Sequence, residues 1–144
     1  MLMVLNAFIY RCLNLFDKSR TLIDKRRISD SDVKQGLVVG NVEGKDAIVF
    51  DDEISTGSTL VATIQTLEKA GVRKVYVGAT HPVLCGNAVK TLKTSTITEI
   101  VVTNTVHIPK DKLFPKLKVL SMGSLFSQAI LRIHTGESVS ALFK

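Results

Sequence analysis

The sequence predicts an α/β domain with a doubly wound, mainly parallel sheet and helices on both faces. Two observations point there. From residue 47 onward, strand-like and helix-like segments alternate, as in parallel sheets joined by crossover helices. The run Ala47-Ile48-Val49-Phe50 is continuously apolar, the pattern of a strand covered on both faces. Length agrees with this, since 144 residues is the size of one domain and no repeat, linker or low-complexity stretch divides it.

Taken in order, residues 6–16 read as an amphipathic helix burying Phe8, Ile9, Leu13 and Phe16. No basic stretch or small-residue cleavage site marks this segment as a signal. Asn6, Arg11 and Asn14 interrupt it well short of a membrane span. Thr21-Leu22-Ile23 reads as a short strand entering the basic cluster Lys25-Arg26-Arg27, and residues 28–35 are polar. Leu37-Val38-Val39 and Asn41-Val42 flank Gly40, which suggests a bent strand or a hairpin. After the strand Ala47–Phe50 comes an acidic loop. Leu60, Ile64 and Leu67 then recur at helical spacing, with Gly71 as the stop. Val75–Thr80 is a strand, Ala88–Leu92 a short helix, and Glu99–Val102 and Lys118–Leu120 are strands. A last helix carries Leu125, Ala129 and Ile133 on one side.

Composition narrows the classes. Hydrophobic residues are 45% and charged residues 22%, a globular rather than disordered balance. The net charge of +6 suits phosphate-bearing partners. The cations are dispersed, however, and no aromatics interleave with Lys25-Arg26-Arg27, so neither nucleic acid nor membrane is the expected partner. Two cysteines, Cys12 and Cys85, are too few for a disulfide scaffold and form no metal pattern, which makes the cytoplasm the expected compartment.

The chemistry is expected after Ala47–Phe50. Ligands of such sheets bind beyond the carboxyl ends of the strands, and here the loop runs straight into a helix N-terminus. Thr56, Gly57, Ser58 and Thr59 suit a phosphate: Gly57 permits close backbone approach and the hydroxyls donate to its oxygens. Asp51 and Asp52 suit sugar hydroxyls or a hydrated metal instead. The competing reading is that the acids end the strand and Ser55 or Thr56 merely caps the helix. The full string of strand, two acids, small polar residues, glycine and helix favours the site.

Ile48-Val49-Phe50-Asp51-Asp52-Glu53-Ile54-Ser55-Thr56-Gly57-Ser58-Thr59-Leu60 resembles the ribose-phosphate loop of the phosphoribosyltransferase-type fold. The segments Ile23–Arg27, Val101–Thr105, Ile130–His134 and Gly136–Phe143 narrow the resemblance to the ribose-phosphate pyrophosphokinases, also called phosphoribosyl pyrophosphate synthetases. Thr80–Gly86 stands where that family has a similar histidine-containing loop.

The resemblance implies transfer of diphosphate from ATP to ribose 5-phosphate, with Mg2+, giving phosphoribosyl pyrophosphate and AMP. It implies that Asp51 and Asp52 hold the ribose 2- and 3-hydroxyls and that Ser55, Thr56, Gly57, Ser58 and Thr59 hold the 5-phosphate. Lys25 and Arg27 would meet the ATP phosphates from a mobile catalytic loop, the competing reading being a solvated basic turn. Ser138, Val139, Ser140 and Phe143 fall where relatives bind a regulatory phosphate or nucleotide at a subunit interface, the competing reading being C-terminal packing. His81 reads as a structural loop residue.

The resemblance runs from about Ile23 to the end and matches the second of the family's two domains. Residues 21–144 would thus be one phosphoribosyltransferase-like domain behind an atypical segment, 1–20. A truncated gene, a spliced isoform or an incomplete gene model would each account for this. The absent half would supply most of the ATP pocket and the histidine for Mg2+. Ser55 also stands where many relatives carry an acid, and Glu53 where many carry an apolar residue. Two other functions compete: a non-catalytic regulatory or binding subunit, and a phosphoribosyltransferase that consumes phosphoribosyl pyrophosphate. The latter lacks a segment long enough to form a hood over the loop. The expected assembly is a homo-oligomer or a complex with a full-length relative, with residues 1–16 as the candidate contact.

Overall fold

The computed structural model describes residues 22–24, 37–39 and 41–143. The helix read over 6–16, Cys12, and the pair Lys25 and Arg27 lie outside the described residues. β1 (Leu22–Asp24) and β2 (Leu37–Val39) pair antiparallel, with Ile23 opposite Val38. This corrects the bend or hairpin expected about Gly40: Leu37–Val39 pairs with Leu22–Asp24, and Asn41 and Val42 belong to no strand. Lys25 and Arg27 fall in the chain segment between these two strands.

The remaining chain alternates strand and helix, as the sequence predicts. β3 (Asp46–Glu53), β4 (Lys74–His81), β5 (Glu99–Thr103) and β6 (Leu117–Leu120) form a four-stranded, all-parallel sheet in sequential order. α1 (Ser58–Lys69) connects β3 to β4, and α2 (Ala88–Thr94) connects β4 to β5. A loop with a 3-10 turn at Lys110–Lys112 leads into β6, and α3 (Gly123–Thr135) follows.

Period-2 alternation decides what each strand buries. Val75, Val77 and Ala79 of β4 and Ile100 and Val102 of β5 face one side, where Leu60, Ile64 and Leu67 of α1 and Ala88 and Leu92 of α2 pack on them. Both crossover helices therefore cover the same face, as right-handed crossovers between sequentially ordered strands require. Each fully buried Leu or Ile here stabilises the fold by about 1.5–3 kcal/mol relative to exposure. On the other face Phe50 lies over Gly78, and a Cβ on that glycine would stand 2.9 Å from the ring.

Two further sequence expectations need correction. The run Ala47–Phe50 is not buried on both faces: β3 is the sheet's outer strand, Ala47 and Val49 pack on the core, and Ile48 is 45% exposed. The acids Asp51, Asp52 and Glu53 belong to the strand itself, because β4 runs on beside them and pairs Asp51 with Ala79 and Glu53 with His81. α3 carries Leu125, Ala129 and Ile133 on one side, as expected; Leu125 and Ala129 are half-buried, and Ile133 is exposed along with Phe126, Ile130 and Leu131.

Candidate functional site

The four parallel strands all end on one edge of the sheet, and the segment between β3 and α1 lies along that edge. Its outer surface is polar because burial alternates along it. Ile54 is buried and Gly57 is buried, while Asp52, Thr56, Ser58 and Thr59 are exposed and Asp51 and Ser55 are half-buried. Each acid accepts a backbone N–H from the residue after it: Asp52 N–H donates to Asp51 Oδ1 at 3.0 Å and Glu53 N–H to Asp52 Oδ1 at 2.9 Å. The carboxylates are thereby held against the strand end.

Gly57 is the pivot. It is the N-cap of α1 at φ 77, ψ −3, and it supplies no side-chain cap. Two constraints select glycine: the left-handed backbone, and a Cβ that would stand 3.3 Å from Leu92 Cδ2. α1 carries no acid in its first turn. Among the described residues no acceptor takes the N–H groups of Thr56, Ser58 and Thr59. An uncapped helix N-terminus with its dipole undiminished attracts an anion. Thr56 Oγ1 and Ser58 Oγ lie 2.9 Å apart, so two hydroxyls share the same small space.

A second loop fixes this one from behind. Ile54 N–H donates to the His81 carbonyl, Leu84 N–H to the Ile54 carbonyl and Cys85 N–H to the Ser55 carbonyl, each at 2.9 Å. The β3–β4 pairing is thus continued beyond the strands. A third loop joins through hydroxyls. Thr103 Oγ1 lies 2.7 Å and Thr105 Oγ1 2.9 Å from the Thr80 carbonyl, and His81 Nδ1 lies 2.9 Å from Thr105 Oγ1. His81 is half-buried and tied into this network, in keeping with its reading as a structural residue. Asn104 Oδ1 accepts the Met122 N–H at 2.8 Å and ties in the start of α3.

The structure therefore brings Asp51, Asp52, Ser55, Thr56, Gly57, Ser58 and Thr59 together on one strand-to-helix junction. It does not bring Ser138, Val139, Ser140 and Phe143 to that junction. They lie beyond Gly136, which ends α3 at φ 74, and a 3-10 turn spans Val139–Phe143. There Ser138 Oγ and Ser140 Oγ lie 2.8 Å apart, and Arg132 reaches Glu137 Oε2 at 3.2 Å and the Ser138 carbonyl at 3.3 Å. Cys85 is a free, exposed thiol.

Sequence reasoning missed the supporting residues Leu84, Thr103, Thr105 and Lys112. Thr103 and Thr105 stood in a segment already singled out, and two hydroxyls flanking Asn104 at a strand end are a legible signal for loop stitching. Leu84 carried no signal of its own.

Among the described residues no three His, Cys, Asp or Glu side chains converge on a common point as metal ligands, and no helix is long and apolar enough to cross a membrane.

Comparison with known proteins places these features. A sequence model described as "Phosphoribosyl synthetase-associated domain" matches residues 18–144. A ribose-phosphate pyrophosphokinase of Gloeobacter violaceus is 42% identical over 130 residues, covering 90% of this chain and 39% of that protein. Those of Bacillus subtilis and Caldanaerobacter subterraneus are 44% and 46% identical over 122 residues, covering 85% of this chain and 38% and 39% of theirs. The crystal structure of the phosphoribosylpyrophosphate synthetase from Mycobacterium smegmatis is 39% identical and superposes with a TM-score of 0.68 over 70% of this chain and 34% of that one. The chain thus spans about two fifths of the length of the curated relatives it matches.

Proposed function

Because the chain belongs to the phosphoribosyl synthetase-associated domain family, we propose that it binds ribose 5-phosphate at the β3–α1 junction and takes part in making phosphoribosyl pyrophosphate. Asp51 and Asp52 hold the ribose 2- and 3-hydroxyls, which donate to carboxylates. Ser55, Thr56, Gly57, Ser58 and Thr59 hold the 5-phosphate through hydroxyls and backbone N–H groups. The observation that carries this reading is the junction itself: a strand ending in two acids turns through left-handed Gly57 into an uncapped helix N-terminus.

In the reaction the ribose 1-hydroxyl oxygen attacks the β-phosphorus of ATP. The bond from that phosphorus to the oxygen it shares with the α-phosphate breaks, AMP leaves, and the hydroxyl proton is lost. Lys25 and Arg27 supply the cations that meet the ATP phosphates and offset charge on the transferring group. Mg2+, arriving with ATP, would neutralise phosphate charge. Its protein ligands are expected mainly in the half of the family's chain that this one does not span. Ser138, Val139, Ser140 and Phe143 are the proposed regulatory contact. The exposed apolar residues Phe126, Ile130, Leu131 and Ile133 support an assembly, either a homo-oligomer or a complex with a full-length relative. The free thiol of Cys85 supports a cytoplasmic location.

A second reading has its own support: the chain covers only 39% of a curated relative, which suits a binding or regulatory subunit that joins a complete enzyme. Calorimetric titration of the 144-residue chain with ribose 5-phosphate, with and without Mg-ATP, tests both. Asp52→Ala is expected to weaken binding at least about tenfold, the worth of a hydrogen bond to a charged group. Binding followed by AMP release supports the enzyme, and binding without turnover supports the subunit. No binding by the wild type overturns the site.

A further inference from the structure

Leu84 is the one residue other than glycine with a positive φ among the described residues, at 50, and its side chain is only 1% exposed. An L-residue is held there only where its surroundings over-determine it. Three contacts do so. The side chain is locked in the core, Leu84 N–H donates to the Ile54 carbonyl at 2.9 Å, and Lys112 Nζ donates to the Leu84 carbonyl at 2.8 Å.

The last contact reaches the phosphate loop. The Leu84 carbonyl and the Cys85 N–H belong to one planar peptide unit, and Cys85 N–H donates to the Ser55 carbonyl at 2.9 Å. The Ser55 carbonyl in turn shares its peptide with the Thr56 N–H. In a trans peptide these two groups point in opposite directions, so Thr56 N–H is aimed away from Cys85. Hydrogen bonds in such a chain polarise one another, and a cation at its head strengthens the donor at its tail.

We infer that Lys112 is a positioning residue for the phosphate loop: through the Leu84–Cys85 and Ser55–Thr56 peptides it fixes and polarises the Thr56 N–H as an anion donor. This rests on the reading of Ser55–Thr59 as a phosphate site. Lys112 sits on the 3-10 turn Lys110–Lys112, outside the proposed binding residues, and it is half-buried, so its ammonium group is held rather than waving in solvent.

The full chain is compared with Lys112→Met, which keeps the aliphatic stem, and Lys112→Arg, which restores a cationic donor. Two readouts are taken: amide hydrogen exchange without ligand, and the Kd for ribose 5-phosphate. In Lys112→Met the Leu84 and Cys85 amides are expected to exchange about tenfold faster, with Val77 and Ile100 unchanged, and the Kd to rise about tenfold. Lys112→Arg is expected to recover most of both. Unchanged exchange at Leu84 and Cys85, or equal acceleration at Val77 and Ile100, overturns the inference, the latter because it marks general destabilisation. Faster local exchange with an unchanged Kd overturns it too. If the wild type binds no ribose 5-phosphate, the phosphate reading fails, and with it the claim that Lys112 serves an anion donor.

Discussion

Replacing Gly57 by alanine attacks two constraints at once, and their sizes can be separated. An alanine held at φ 77 costs about 1–2 kcal/mol for the left-handed backbone. Its Cβ would also stand 3.3 Å from Leu92 Cδ2 and 3.4 Å from Leu92 Cγ, closer than carbon atoms normally pack. Leu92 is fully buried and has little room to retreat, which adds about 1 kcal/mol of crowding. The expected loss is therefore about 2–3 kcal/mol, or a fall in Tm of roughly 6–10 °C for a chain of this size. Urea unfolding of Gly57→Ala, Leu92→Ala and the double variant gives the partition. Leu92→Ala alone is expected to cost about 2–5 kcal/mol. In its background Gly57→Ala should cost only the backbone part, because the crowding has been removed. A Gly57→Ala variant within about 0.5 kcal/mol of wild type would refute the backbone argument. An equal loss in both backgrounds would refute the packing argument.

Other outcomes follow from the same geometry. Ile64→Ala, at 1% exposure in the middle of α1, should lose about 2–5 kcal/mol by urea unfolding, whereas Ile133→Ala, 70% exposed on α3, should stay within about 0.5 kcal/mol. Arg73→Ala breaks an exposed pair with Asp46, made at 2.7 and 3.0 Å, and should leave the Tm nearly unchanged. Deleting residues 1–16 should lower the oligomeric state or raise solubility, and unchanged sedimentation would sink that assignment. Thr105→Val removes the hydroxyl that partners His81 Nδ1, and should cost about 1–3 kcal/mol by leaving that half-buried nitrogen without a partner, while the Thr80 carbonyl keeps Thr103 Oγ1.

The strands and helices of the βαβ part were legible because each carries its own period: Val75, Val77 and Ala79 alternate, and Leu60, Ile64 and Leu67 recur helically. Where β3 ends was not legible. Asp and Glu are poor strand formers, and only the pairing of Asp51 with Ala79 and Glu53 with His81 keeps them extended. That Ile48 would be exposed was equally hidden, since an apolar run does not say whether its strand lies inside the sheet or at the edge. For the site, the small polar residues and Gly57 announced themselves by type. Leu84 did not, because its conformation depends on Ile54 and Lys112, thirty and twenty-eight positions away, and no local residue preference encodes such a contact.

The order in which the sheet is laid down bears on how the chain is made. In the four-stranded sheet each strand after β3 pairs with the one before it, and the residues that form the phosphate loop and bond directly to it run from Asp46 to Cys85. At ribosomal speeds of about 5–20 residues per second, these forty or so residues are synthesised within roughly 2–8 s. The β3–α1–β4 unit can therefore pair as soon as it clears the exit tunnel. Lys112 and the 3-10 turn that carries it arrive a few seconds later. The left-handed twist at Leu84 is then fastened last, onto a loop whose strands are already in register.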